Sequence, residues 1–128
     1  MPTQSDSPNV QFYVEGDTAP SLRAQIVDAD GVGISLVNAS AVTINIAPSR
    51  WDYYLSPIDR IVTDAACVID PDQVTNRGYL DWFPSPGDLT PPGEYQYRFK
   101  VTWSDGTVQR FPQNETLKLV IRAEVGGV

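Results

Sequence analysis

The chain has 128 residues, nine of them lysine or arginine against sixteen aspartates and glutamates, for a net charge of −7, and it contains no histidine. That length suits one domain burying roughly two-thirds of the surface its unfolded form exposes, so an apolar core can hold it without metal or disulfide staples. The missing histidines exclude His-dependent triads, His-ligated zinc and imidazole switches, the acidic balance argues against nucleic acid as a partner, and 41% apolar content is too high for a disordered chain.

No run approaches the roughly 18 to 20 apolar residues of a membrane span, and the start lacks a basic-then-apolar signal pattern, so no membrane partner is expected and synthesis in a reducing cytosol is. Residues 1–9 are polar and Pro-bearing and read as a flexible arm. From Val10 the pattern becomes short alternating runs punctuated by Gly, Pro, Asp and Asn, the mark of strands bounded by turns. The first is Val10–Val14. The second, Leu22–Ile26, places Leu22, Ala24 and Ile26 on one face and ends at Asp28-Ala29-Asp30-Gly31, with Gly31 and Gly33 supplying the turn. A short Ile34-Ser35-Leu36 piece precedes Val42–Ile46, which Pro48 ends because proline cannot donate to a ladder. Residues 49–64 fit neither period and read as a long connection with one short strand or helical turn.

Alternation returns in Ala65–Ile69, closed by Asp70-Pro71-Asp72, and in Gly78–Phe83, closed by Pro84. The clearest strand is Tyr95–Trp103, with apolar residues at every odd position and polar ones at every even position, so that one face is core and the other meets solvent or a partner. Ser104-Asp105-Gly106 reads as a hairpin turn into Thr107–Phe111. Leu117–Ile121 is the last strand, and residues 123–128 read as a frayed tail. Strands at this spacing without a helical stripe predict an all-β, immunoglobulin-like antiparallel β-sandwich over residues 10–122. In Asp88-Leu89-Thr90-Pro91-Pro92-Gly93-Glu94-Tyr95, Tyr95 has the placing of a tyrosine corner, and Tyr97 stands where antibody domains carry a cysteine. Both tyrosines packing in the core is the plainer alternative.

The chemistry on offer is thin. Asp28/Asp30 and Asp70/Asp72 are the close carboxylate pairs a glycosidase would need, but both fall in turns, where Asp is favoured for bonding its own backbone. Asp28-x-Asp30-Gly31 opens like a calcium loop without the later ligands. Cys67 is placed mid-strand among apolar residues with no base to activate it. No enzyme, metal or cofactor is expected. Aromatic residues are the better candidates: Trp51, Tyr53 and Tyr54 in the long connection, and Trp82, on the strand face opposite Tyr79, are the expected partner contacts, either against a neighbouring subunit or as stacking platforms for sugar rings.

The runs Asp30-Gly31-x-Gly33-Ile34-Ser35-Leu36, Ala39–Ile44, Val68-Ile69-Asp70, Gly78-Tyr79-Leu80-Asp81-Trp82, Pro92-Gly93-Glu94-Tyr95 and Val101–Thr107 followed by Phe111-Pro112 come in an order that resembles the N-terminal immunoglobulin-like domain of the phage baseplate upper protein family, from about Ser21 to Ile121. The resemblance implies a structural, non-enzymatic component of a tailed-phage virion, bound to other virion proteins in a symmetric multi-copy assembly through the 1–9 arm, the 49–64 connection and the outward residues of Tyr79–Phe83. A capsid or neck decoration module, or a carbohydrate-binding one on a host-surface glycan, is the alternative expectation.

Overall fold

The computed structural model describes residues 10–48, 60–112 and 117–123. The described residues contain strands and turns without helix: β1 (Val10–Val14), β2 (Leu22–Gln25), β3 (Ala39–Pro48), β4 (Val62–Ala66), β5 (Val68–Ile69), β6 (Tyr79–Trp82), β7 (Gly93–Trp103), β8 (Val108–Phe111) and β9 (Leu117–Arg122). They form a six-stranded sheet in the order β1-β9-β7-β3-β4, with β8 also on β7, and a three-stranded sheet in the order β2-β6-β5. This is the immunoglobulin-like sandwich that the strand pattern predicts. All ladders are antiparallel except that of β1 with β9, which is parallel.

β7 organises the large sheet. Tyr95 to Trp103 of β7 pair with β3, while on its other side β9 takes Gly93 to Tyr97 and β8 takes Phe99 to Thr102. Tyr95, Tyr97, Phe99 and Val101, the odd-numbered row, are buried together with Val42, Ile44 and Ile46 of β3, Leu119 and Ile121 of β9, and Leu22, Leu80 and Trp82 from the opposing sheet. Each such side chain contributes about 1.5–3 kcal/mol on leaving water, so this row is the main apolar seam of the sandwich. Tyr97 and Phe99 meet edge to face at 5.7 Å.

Two expected elements differ. The Ile34–Leu36 piece forms no strand, because Gly33 and Ile34 instead fold back on β2, Ile34 N donating to Ile26 O at 2.9 Å. A Cβ on Gly33 would run into the Arg77 carbonyl, so this close approach, and not the turn itself, requires glycine. The single strand expected over Ala65–Ile69 is two strands, because the chain leaves the large sheet after Ala66 and joins the small one at Val68. Cys67 is thus the crossing point between sheets, held by its N–H to Val42 O at 2.9 Å.

Buried Gln73 joins the two loops at one end of the sandwich. Its Oε1 accepts from Leu36 N and Gly78 N, each at 2.9 Å, and its Nε2 donates to Asp70 O and Tyr79 O at 2.9 and 3.2 Å. A buried amide with every group satisfied fixes geometry without a desolvation cost. The Ser104–Gly106 turn lies beside these loops through Ser104 N to Asn38 O at 2.9 Å.

Candidate functional site

The structure first corrects Trp82. It is only 1% exposed and belongs to the core face of β6, so it can serve neither as a sugar platform nor as a partner contact. Alternation separates it from Tyr79 as expected, but the tryptophan side is the inner one. Trp51, Tyr53 and Tyr54 lie outside the described residues, as do the 1–9 arm and residues 124–128. Of the outward residues of Tyr79–Phe83, Phe83 is 58% exposed, whereas Tyr79 is covered by the Arg23 guanidinium 4.8 Å above its ring.

That arginine belongs to a clamp on the outer face of the small sheet. Arg23 of β2 donates to Asp81 of β6 and to Asp70 just beyond β5, each at 2.7 Å, and so ties all three strands. Ser21 Oγ and Asn76 Nδ2 add bonds of 3.2 Å to Asp81 and Asp70. The Arg23 hydrogen bond, helped by the Asp72 N–H, holds the Asp70 carboxyl below the usual carboxylate range. A carboxylate held charged in this way is the opposite of a general acid, whose pKa must be raised. Asp28 and Asp72 serve the turns: Asp28 Oδ1 accepts from Asp30 N and Val32 N, and Asp72 Oδ1 accepts from Thr75 N. Burial pushes the Cys67 thiol up to about 12, which keeps it protonated and unreactive at neutral pH. Tyr95 makes the predicted corner, its hydroxyl donating to Pro91 O at 2.6 Å, and Tyr97 is buried as well.

The outer face of the large sheet is built differently, and sequence reading passes over it. The even positions of β7 bring Arg98 and Lys100 outward, β8 adds Arg110, and β9 adds Lys118 and Arg122. Strand pairing gathers them: Lys100 is the register partner of Arg110, and Arg98 that of Asn45 on β3. Arg60 joins by donating to Asn45 Oδ1 at 2.9 Å. Only Asp64 and Glu94 bring carboxylates to this face among the described residues. Asp64 sits in a β-bulge opposite Asn45 with φ of 48°, fixed by its N–H to Asn45 Oδ1, by Asn45 Nδ2 to its Oδ1 and by Lys100 Nζ, all within 3.0–3.2 Å. The Asn45 and Lys100 bonds hold its carboxyl below the usual range. Apolar side chains interleave with the cations: Phe12 and Val14 of β1 and Val108 of β8 are 39%, 42% and 43% exposed, and the Arg122 guanidinium lies 4.9 Å over the Phe12 ring.

A signal for this face was present in the sequence, since four of its cations fall at polar positions of β7 and β9. Their convergence needs the strand order, which places β9 and β8 on the same side of β7. Among the described residues no group of three or more Cys, Asp or Glu side chains is arranged to hold a metal ion.

No family model matches the chain, and no curated protein matches it. Among solved structures it is similar to CopC from Methylosinus trichosporium OB3b, with 12% identity and a TM-score of 0.42, over 89% of this chain and 84% of that one. The function expected from sequence, a structural virion component of a tailed phage with a glycan-binding or decoration module as its alternative, is corrected: CopC, the similar solved structure, is not a phage baseplate protein, and nothing in the fold of the described residues points to a phage structural role.

Proposed function

We propose that this chain is a non-catalytic binding domain whose working surface is the outer face of the six-stranded sheet. The observation that carries the reading is the pairing of Lys100 with Arg110 directly across the β7–β8 ladder. Like charges in register destabilise a sheet by a few tenths to about 1 kcal/mol, and Asp64 offsets only one of the two. A local rule broken without a gain inside the fold is expected where the surface serves something outside it. The small sheet supports the contrast: its outer arginine is already spent on Asp70 and Asp81. The acids and the thiol that catalysis would call on are held in turns, in the clamp or under burial.

Retention on a sulfonate cation-exchange matrix at pH 7 tests this reading at about 50 mM salt, where the screening length is shorter than the domain is wide. The folded chain is expected to bind despite its net charge of −7, and Arg110→Thr to elute earlier while unfolding at an equal or higher temperature. Free passage of the native chain through the matrix would reject the reading.

A further inference from the structure

The chemistry of this face also selects among anionic partners. Resting on the reading above, we infer that the outer face of the six-stranded sheet docks a carboxylate-rich segment of another protein, with the register neighbours Lys100 and Arg110, and Arg98 beside them, engaging its acids and with Phe12, Val14 and Val108 receiving its apolar side chains.

Three features lead there. The cations are mainly arginines, whose planar forks match carboxylates with two parallel hydrogen bonds. They are interleaved with exposed apolar side chains, including an aromatic ring under a guanidinium, which is the composition of a protein interface and not of a phosphate-backbone groove. The third feature is the field of the rest of the domain. Asp28, Asp30, Asp70, Asp72, Asp81 and Asp88 belong to the small sheet and to loops outside the six-stranded sheet, with Arg23 and Arg77 the cations among the described residues there, and Glu15, Asp17 and Asp105 stand at the rim of the face, Asp17 Oδ2 accepting from Val14 N at 2.9 Å. An extended polyanion such as duplex DNA, or an anionic bilayer, carries its potential past the edges of the face and meets that acidic surround. A short acidic segment meets the face alone, because beyond about 10 Å the surround is screened at ordinary ionic strength.

The geometry suits such a segment. Neighbouring strands stand about 4.8 Å apart and alternate side chains about 6.8 Å along a strand, so the cations of β7 and β8 offer one row of sites to carboxylates spaced along an extended peptide. Asp64 occupies Lys100 in the free domain at 3.2 Å, and a partner carboxylate that replaces it releases a neighbour already fixed by Asn45.

The test uses the full chain and an immobilised random copolymer of glutamate and tyrosine, with heparin, duplex DNA and phosphatidylserine vesicles as parallel probes and sedimentation as a check on self-association. Salt-sensitive binding of the copolymer that exceeds binding of the other three is expected. Arg98→Glu combined with Lys100→Glu, shown folded by circular dichroism, should weaken it about tenfold or more. Asp28→Asn combined with Asp30→Asn, at the loop end, should leave it unchanged or tighter. Tighter binding of heparin, DNA or vesicles would overturn the carboxylate assignment while the binding-face reading stands. Self-association abolished by the β7 reversal would likewise replace the segment with a second copy. A chain retained on the sulfonate matrix that ignores the copolymer would overturn the inference alone, whereas one that ignores every probe and the matrix would overturn both.

Discussion

Tyr95 shows what one hydroxyl does in this fold. Its ring is buried against the core at the start of β7, and its hydroxyl donates to the carbonyl of Pro91 across the approach from β6. Burial, with Glu15 nearby, raises its pKa, so the group stays a neutral donor throughout the ordinary pH range. Tyr95→Phe keeps the ring and removes only the bond, and should cost about 0.5–1.5 kcal/mol in denaturant unfolding with an unchanged m-value. A loss near zero would mean that Pro91 O is equally well served by water. This contact was legible because it is local: the corner and its acceptor are four residues apart. Trp82 was not legible in the same way. Alternation along β6 divides Tyr79 and Asp81 from Leu80 and Trp82, but each set carries an aromatic, and only the opposing sheet decides which one is inside.

At the scale of elements, the passage from β4 to β5 carries the most information. Residues Ala65 to Ile69 read as one continuous strand because period-2 alternation reports a half-buried extended segment and not the sheet to which it belongs. The departure is set up three residues earlier, where Thr63 and Asp64 together oppose Asn45 and the bulge bends β4. Asp64 stands in left-handed backbone, which Asp tolerates and β-branched residues do not. Asp64→Gly relieves that conformation and keeps the backbone N–H to Asn45 Oδ1 while losing the carboxylate's bonds to Asn45 Nδ2 and Lys100, so it should change stability by less than about 1 kcal/mol. Asp64→Val loses the same contacts and adds backbone strain of about 1–3 kcal/mol, so thermal melting should separate the two variants clearly. Equal melting temperatures would show that the bulge relaxes away when its side-chain bonds go. The remaining strands were legible wherever one face is core, as in the odd row of β7, because burial there enforces alternation that a one-residue slip would reverse.

For the whole molecule, the segregation of charge has consequences beyond recognition. The cations of β7, β8 and β9 could be read singly from the sequence, but their collection on one face depends on the β7–β9 ladder joining the β7–β8 hairpin on the same side of β7. The loops between β2 and β3, β5 and β6, and β7 and β8 meet at one end of the sandwich, and they bring Asp28, Asp30, Asp72 and Asp105 there. Repulsion among exposed like charges is relieved by salt, whereas the Arg23 clamp and the Lys100–Asp64 contact are weakened by it. With sixteen acids against nine bases, repulsion is the larger effect. The melting temperature should therefore rise by about 2–5 °C, equivalent to somewhat under 1 kcal/mol for a domain of this size, as ionic strength goes from about 10 to 150 mM. Asp28→Asn combined with Asp30→Asn preserves the Oδ1 acceptor that closes the turn while removing two of the charges. That variant should melt higher than the native chain in low salt and respond less to added salt. A native melting temperature that falls with salt would instead mean that the three ion pairs outweigh the crowded loop end, and the acidic surround would then be too weak to exclude extended polyanions from the basic face.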